Sequence, residues 1–117
     1  MNLASGTSAL PIDITPRDWA EVRRILHEQV PGIEVWAFGS RAKRTAKPYS
    51  DLDLALITRD PLTLQQLAAI TDAFATSDLP MRVDLVDWAS TSETFRSLIE
   101  RDKVLVASSG PDARTLR

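Results

Sequence analysis

The sequence predicts an α/β (α+β) fold in which helices and short strands alternate along one chain. Three observations predict it. Segments with apolar residues three and four apart alternate with short runs of β-branched, aromatic and aliphatic residues. The breaks between them fall at Pro31-Gly32, Gly39 and Pro80, where the chain must turn. Finally, 117 residues with 44% hydrophobic and 26% charged side chains suffice for one domain with a real core and exclude a second sizeable one.

Each element has a local cause. Thr15-Pro16-Arg17-Asp18 reads as an N-cap, a proline at the first helical position and an acid suited to the helix's positive end. Trp19, Val22, Leu26 and Val30, flanked by Ile25, then form one stripe that Pro31-Gly32 terminates. His27 lies beside that stripe as a helix-surface histidine. Residues 33–38 read as a strand delivered into a Gly39-Ser40 turn. Residues 52–57 form a second strand whose continuous apolarity calls for cover on both faces. Thr63 and Gln66 make a capping box for a helix carrying Leu64, Leu67, Ile70, Thr71 and Phe74. Residues 81–87 form a third strand, with Met81, Val83 and Leu85 on one face and Arg82, Asp84 and Val86 on the other. Ser90 and Glu93 open a last helix bearing Phe95, Leu98 and Ile99, and residues 104–106 close with a short strand. The order is α-β-(short α)-β-α-β-α-β. Residues 14–107 are the expected domain, and the Ser-, Gly-, Pro- and Thr-rich ends, 1–13 and 108–117, are expected to fray.

Composition narrows the function classes. Zero cysteines removes thiol nucleophiles, cysteine zinc sites and iron–sulfur clusters, and a lone histidine disfavours imidazole metal sites. A formal charge of −2 supplies no field to gather nucleic acid, so DNA or RNA is not the expected substrate. Apolar runs fall short of the ~20 residues a membrane helix requires, and the N-terminus lacks a signal-peptide layout, so a cytoplasmic protein without membrane attachment is expected.

The chemistry concentrates in Phe38-Gly39-Ser40-Arg41-Ala42-Lys43-Arg44 and Tyr49-Ser50-Asp51-Leu52-Asp53-Leu54. Asp51 and Asp53 are two apart at a strand start, so both project from one face, where carboxylates suit a hard divalent cation. Two-metal phosphoryl transfer asks for a third carboxylate from a neighbouring strand. Asp84 meets that requirement, with Asp87 as the competing candidate. Gly39 permits close backbone approach to phosphate, Ser40 adds a hydroxyl, and Arg41, Lys43, Arg44 and Lys47 place four cations within seven residues. Two desolvated carboxylates without a partner would cost several kcal/mol, which favours a bound cation over chance.

Gly39-Ser40, ten intervening residues and Asp51-Leu52-Asp53 match the Gly-Ser-x10-Asp-x-Asp signature of the polymerase-β-like nucleotidyltransferase superfamily. The flanking Arg41-Ala42-Lys43-Arg44-Thr45-Ala46 and Ser50-Asp51-Leu52-Asp53-Leu54-Ala55 resemble its small branch, the minimal nucleotidyltransferase or MNT proteins. The resemblance spans about residues 15–107. It implies a small mixed sheet flanked by helices and Mg²⁺, as two ions, on Asp51, Asp53 and Asp84, with Asp84 also assisting deprotonation of the acceptor. It further implies ATP held by Gly39, Ser40, Arg41, Lys43 and Ser50. Many MNT proteins accompany a HEPN-domain ribonuclease toxin as its antitoxin and transfer AMP to a tyrosine on it, so the same activity and partner are implied here. Arg44 departs from the pattern, since the family commonly has glycine at that place; a left-handed backbone there would cost about 1 kcal/mol.

Two other readings compete: an antitoxin that neutralises by contact alone, and a small-molecule nucleotidyltransferase of aminoglycoside type. The intact acid set favours catalysis over the first, and the lack of a second domain to wall off a small pocket disfavours the other. Trp19 and Trp36 read as core residues. Trp88 could contact a partner or pack inside, and Tyr49 could stack on a base or pack in its loop.

Overall fold

The computed structural model describes residues 10–108. Helix α1 spans Pro16–Gln29, strand β1 Glu34–Phe38, the one-turn helix α2 Gly39–Ala42, and β2 Leu52–Ile57. Helix α3 spans Leu64–Ala75, β3 Val83–Asp87, α4 Glu93–Asp102 and β4 Val104–Ala107, with a 3₁₀ turn at Trp88–Ser90. The sheet order is β3-β2-β1-β4. β1 lies antiparallel to β2 and β4, whereas β2 and β3 run parallel, the crossover between them being made by α3. The sheet is therefore mixed.

Local signals set the ends of the helices. The Thr15 hydroxyl accepts from the Asp18 amide at 3.1 Å, with proline at the first helical position of α1. Thr63 and Gln66 form the full capping box on α3. At α4 the cap is Ser92, which accepts from the Phe95 amide, and not the expected Ser90. Ser90 is taken up by the 3₁₀ turn, where its hydroxyl donates to Asp87. The third strand also starts later than expected, at Val83, although the Arg82 carbonyl still accepts from the Leu52 amide at 2.9 Å.

Alternation along β2 divides the molecule. Leu52, Leu54 and Leu56 have no exposed surface and pack with Val22, Ile25 and Leu26 of α1 and Ile70 and Phe74 of α3. Burying each such side chain stabilises the fold by about 1.5–3 kcal/mol. On the opposite face Trp36 and Ala55 pack with Ile99 of α4, with Phe38, Val86 and Trp88 around them. Trp88 packs edge-on against Trp36 at 5.1 Å, and the Arg96 guanidinium lies over its ring. Trp19 is half-buried against the larger core.

Two expectations need correction. Leu64 does not join the core of α3; it is 88% exposed, because the inward face of that helix is centred on Ile70 and Phe74. Residues 10–13, assigned to a fraying end, belong to the packed domain, since Ile12 is buried in the main core and Asp13 is tied to the chain after α2. The remainder of the two expected flexible ends, apart from Ser108, lies outside the described residues.

Candidate functional site

The acids come together because strand alternation and parallel pairing agree. Asp53 stands directly beside Asp84 in the β2–β3 register, and beside Phe38 in the β1–β2 register. Asp51, two residues before Asp53, shares its face. The Arg82 Nη2 group donates to Asp51 Oδ2 at 3.1 Å and to Asp84 Oδ2 at 3.2 Å, so these two oxygens lie within two hydrogen-bond lengths of each other. Arg82 is a site residue that sequence reasoning misses. Its position two before Asp84 is the available signal, because alternate strand residues share a face.

Asp53 is the crowded member. Partial burial, then the charges of Asp84 and Asp51, push its carboxyl above the usual range, and the charge of Arg82 offsets only part of this. Among the described residues, no group of three or more His, Cys, Asp or Glu side chains is gathered into a ligand cluster, and Arg82 bridges Asp51 and Asp84. The donor set nevertheless fits a hard divalent cation: all-oxygen ligands on one face, with repulsion that a cation would relieve.

Gly39 closes the site on its other side. Its φ of +77° is the left-handed conformation that glycine tolerates, and an added Cβ would collide with Asp53 Oδ2. Backbone conformation and the neighbouring carboxylate each require glycine here. The turn is a single helical turn, with the Thr45 amide returning to the Ser40 carbonyl at 2.9 Å.

The predicted phosphate-side residues divide into two groups. Ser40 is half-buried beside the acids' strand, and Lys43 lies exposed at the end of α2. Ser50, just before Asp51, accepts from the Lys47 amide through its hydroxyl at 2.9 Å. Arg41 is turned inward instead. It is the one charged residue buried among those described, and its guanidinium donates to the carbonyls of Asp13, Pro48 and Ser50. Its N–H groups are thereby engaged by backbone carbonyls, whereas the expectation gave them to the nucleotide. Arg44 has φ of +62°, the left-handed conformation its glycine-like position demands, and its side chain reaches back to Asp13 and the Leu10 carbonyl. Tyr49 stands 92% exposed in the loop before Asp51 rather than packed in it.

Asp87 is not a third member of the acid group. It falls on the opposite face from Asp84. Its carboxylate accepts from the Thr58 hydroxyl, the Leu62 amide at 2.8 Å and Ser90 Oγ at 3.1 Å. Burial alone would raise its titration, but these donors outweigh burial and hold it below the usual carboxylate range. His27 is exposed on α1, remote in sequence from these strands. No described helix is long and apolar enough to cross a membrane.

Comparison with known proteins places the fold. The probable protein adenylyltransferase MntA of Haemophilus influenzae is 50% identical over 100 residues, covering 86% of this chain and 88% of that protein. Among solved structures, a chain of a toxin–antitoxin crystal with AMP-PNP superposes with a TM-score of 0.68 at 23% identity, over 81% of this chain and 77% of that one. A chain from the complex of tri-AMPylated Shewanella oneidensis HEPN toxin with its MNT antitoxin gives 0.62 at 20% identity, over 79% and 71% respectively. The family model for the polymerase beta nucleotidyltransferase domain matches residues 21–111, and with that span and the MntA relative, the chain belongs to the polymerase-β nucleotidyltransferase family.

Proposed function

We propose that this protein is an adenylyltransferase that moves AMP from ATP to a tyrosyl hydroxyl of a HEPN-domain toxin, and so acts as its antitoxin in the cytoplasm. The observation that carries the reading is the juxtaposition of Asp53 and Asp84 in register on one sheet face, with Gly39 pressed against Asp53. The 50% identical relative bears the name of a probable protein adenylyltransferase, and two solved structures of like fold are of toxin–antitoxin systems, one with AMP-PNP and one with an AMPylated HEPN toxin.

In this reading Asp51, Asp53 and Asp84 are the residues that would hold Mg²⁺, as two ions. Bound magnesium would neutralise the charge that builds on the phosphate oxygens. Gly39 and Ser40 present backbone N–H groups and a hydroxyl to the triphosphate, while exposed Lys43 supplies a cation at its edge. The acceptor oxygen attacks the α-phosphorus; an O–P bond forms as the bond to the β-phosphate oxygen breaks and pyrophosphate leaves. Asp84 takes the hydroxyl proton.

The test is incubation with α-labelled ATP, Mg²⁺ and a HEPN-domain toxin. Label transfer that Asp53→Ala abolishes is the expected result. Tight binding of the toxin without transfer would overturn the catalytic reading in favour of inhibition by contact.

A further inference from the structure

Two stretches of irregular backbone, residues 10–14 before α1 and residues 48–50 before Asp51, meet at Arg41 in the turn of α2. We infer that residues 10–14 act as a clasp that works through Arg41 and Asp13 to fix Asp51 in place, making Arg41 and Asp13 positioning residues for the acid site. This role rests on the function proposed above.

The argument begins with a buried charge. An arginine that is 7% exposed and has no carboxylate partner among the described residues must be compensated by hydrogen bonds. Arg41 finds them on carbonyls alone: Asp13 O at 2.8 Å, Ser50 O at 2.8 and 3.0 Å, and Pro48 O at 3.4 Å. Those oxygens belong to segments outside any strand ladder, so the planar fork fixes backbone that no regular structure fixes. One of them, Ser50, adjoins Asp51.

The clasp is held from its own side as well. The Asp13 amide donates to the Arg41 carbonyl at 2.9 Å, and Asp13 Oδ2 accepts from the Ala46 amide at 3.2 Å. Arg44, in its left-handed conformation, donates to Asp13 Oδ1 at 3.4 Å and to the Leu10 carbonyl. Ile12, 1% exposed, anchors the segment in the main core. The basic residues of the turn therefore have different roles, with Arg41 and Arg44 securing the clasp and Lys43 facing outward.

The test uses the full chain and Mn²⁺ with a non-hydrolysable ATP analogue, read by calorimetry, alongside amide exchange over residues 44–52. Arg41→Lys, which keeps the charge but loses the fork, and Asp13→Ala are each expected to weaken Mn²⁺–nucleotide binding by about tenfold or more at temperatures where both remain folded. Exchange over residues 44–52 is expected to accelerate in parallel. Asp13→Asn, which retains the acceptor for Ala46, should recover binding to within about threefold of wild type, and Arg24→Lys on the α1 surface should leave it unchanged. A purely structural role would lower the melting temperature and leave binding below it intact, and that outcome overturns the inference. If Arg41→Lys does not fold, Asp13→Ala decides alone. Wild-type protein that takes up no Mn²⁺–nucleotide sinks the proposed function and this role together, whereas wild-type affinity in folded Asp13→Ala sinks the clasp by itself.

Discussion

The two ends of β3 put the same residue type to opposite use. At its start Asp84 faces Asp53 and Asp51 with one exposed arginine between them. At its end Asp87 faces amides and hydroxyls from residues 58–62 and 89–90. An acid surrounded by donors is satisfied by the protein itself. Acids beside one another repel, and here only the exposed Arg82 offsets that repulsion among the described residues. The direction of titration follows the same division, up for Asp53 and down for Asp87.

The contrast is tested most severely at Asp53. Asp53→Ala is expected to reduce AMP transfer by about 10³-fold or more while the chain stays folded, measured by label transfer and circular dichroism. Asp84→Asn should lose about 10²-fold or more with no loss of stability. Unchanged turnover would remove Asp84 from the acid group.

At the other end the effect belongs to stability. Asp87→Ala leaves the Leu62 amide and two hydroxyls without their acceptor, and should lower unfolding free energy by about 1–3 kcal/mol with turnover within about twofold of wild type. Denaturant titration checks the first part. Loss of activity from a well-folded Asp87→Ala would dissolve the contrast between the ends.

Smaller effects refine it. Arg44→Gly relieves a left-handed conformation but releases an exposed ion pair and adds chain entropy, so the net change should stay within about 1 kcal/mol. Without divalent ions, Asp53→Asn should slightly stabilise the fold at neutral pH, because it removes a partly buried charge beside two like charges. The sign follows from its raised folded titration: between the unfolded and folded values the native state binds the extra proton, so wild-type stability falls as pH rises through that window. A melting series from pH 3 to 7 should show this contribution in wild type and lose it in Asp53→Asn.

Much of this is legible along the chain. The capping signals at Thr15 and Thr63, the strand alternation and the Gly-Ser-x10-Asp-x-Asp spacing are local features whose geometry is fixed by neighbouring residues. The α4 cap is displaced by two residues from its expected place because Ser90 and Ser92 are equally good caps locally, and only the partner Asp87 claims Ser90. Asp84 and Asp87 also look alike in sequence; parallel pairing with β2 separates them by setting which face meets Asp53.

The order of elements, the glycine turn and the shared face of Asp51 and Asp53 are written in the chain, because each depends on residues within a few positions of one another. The choice of distant partners belongs to the packed molecule. Packing alone drew residues 10–13 onto the turn, sent Arg41 inward to three backbone carbonyls and placed Arg82 between two acids, since a long side chain carries no local record of which distant oxygen will compensate its charge.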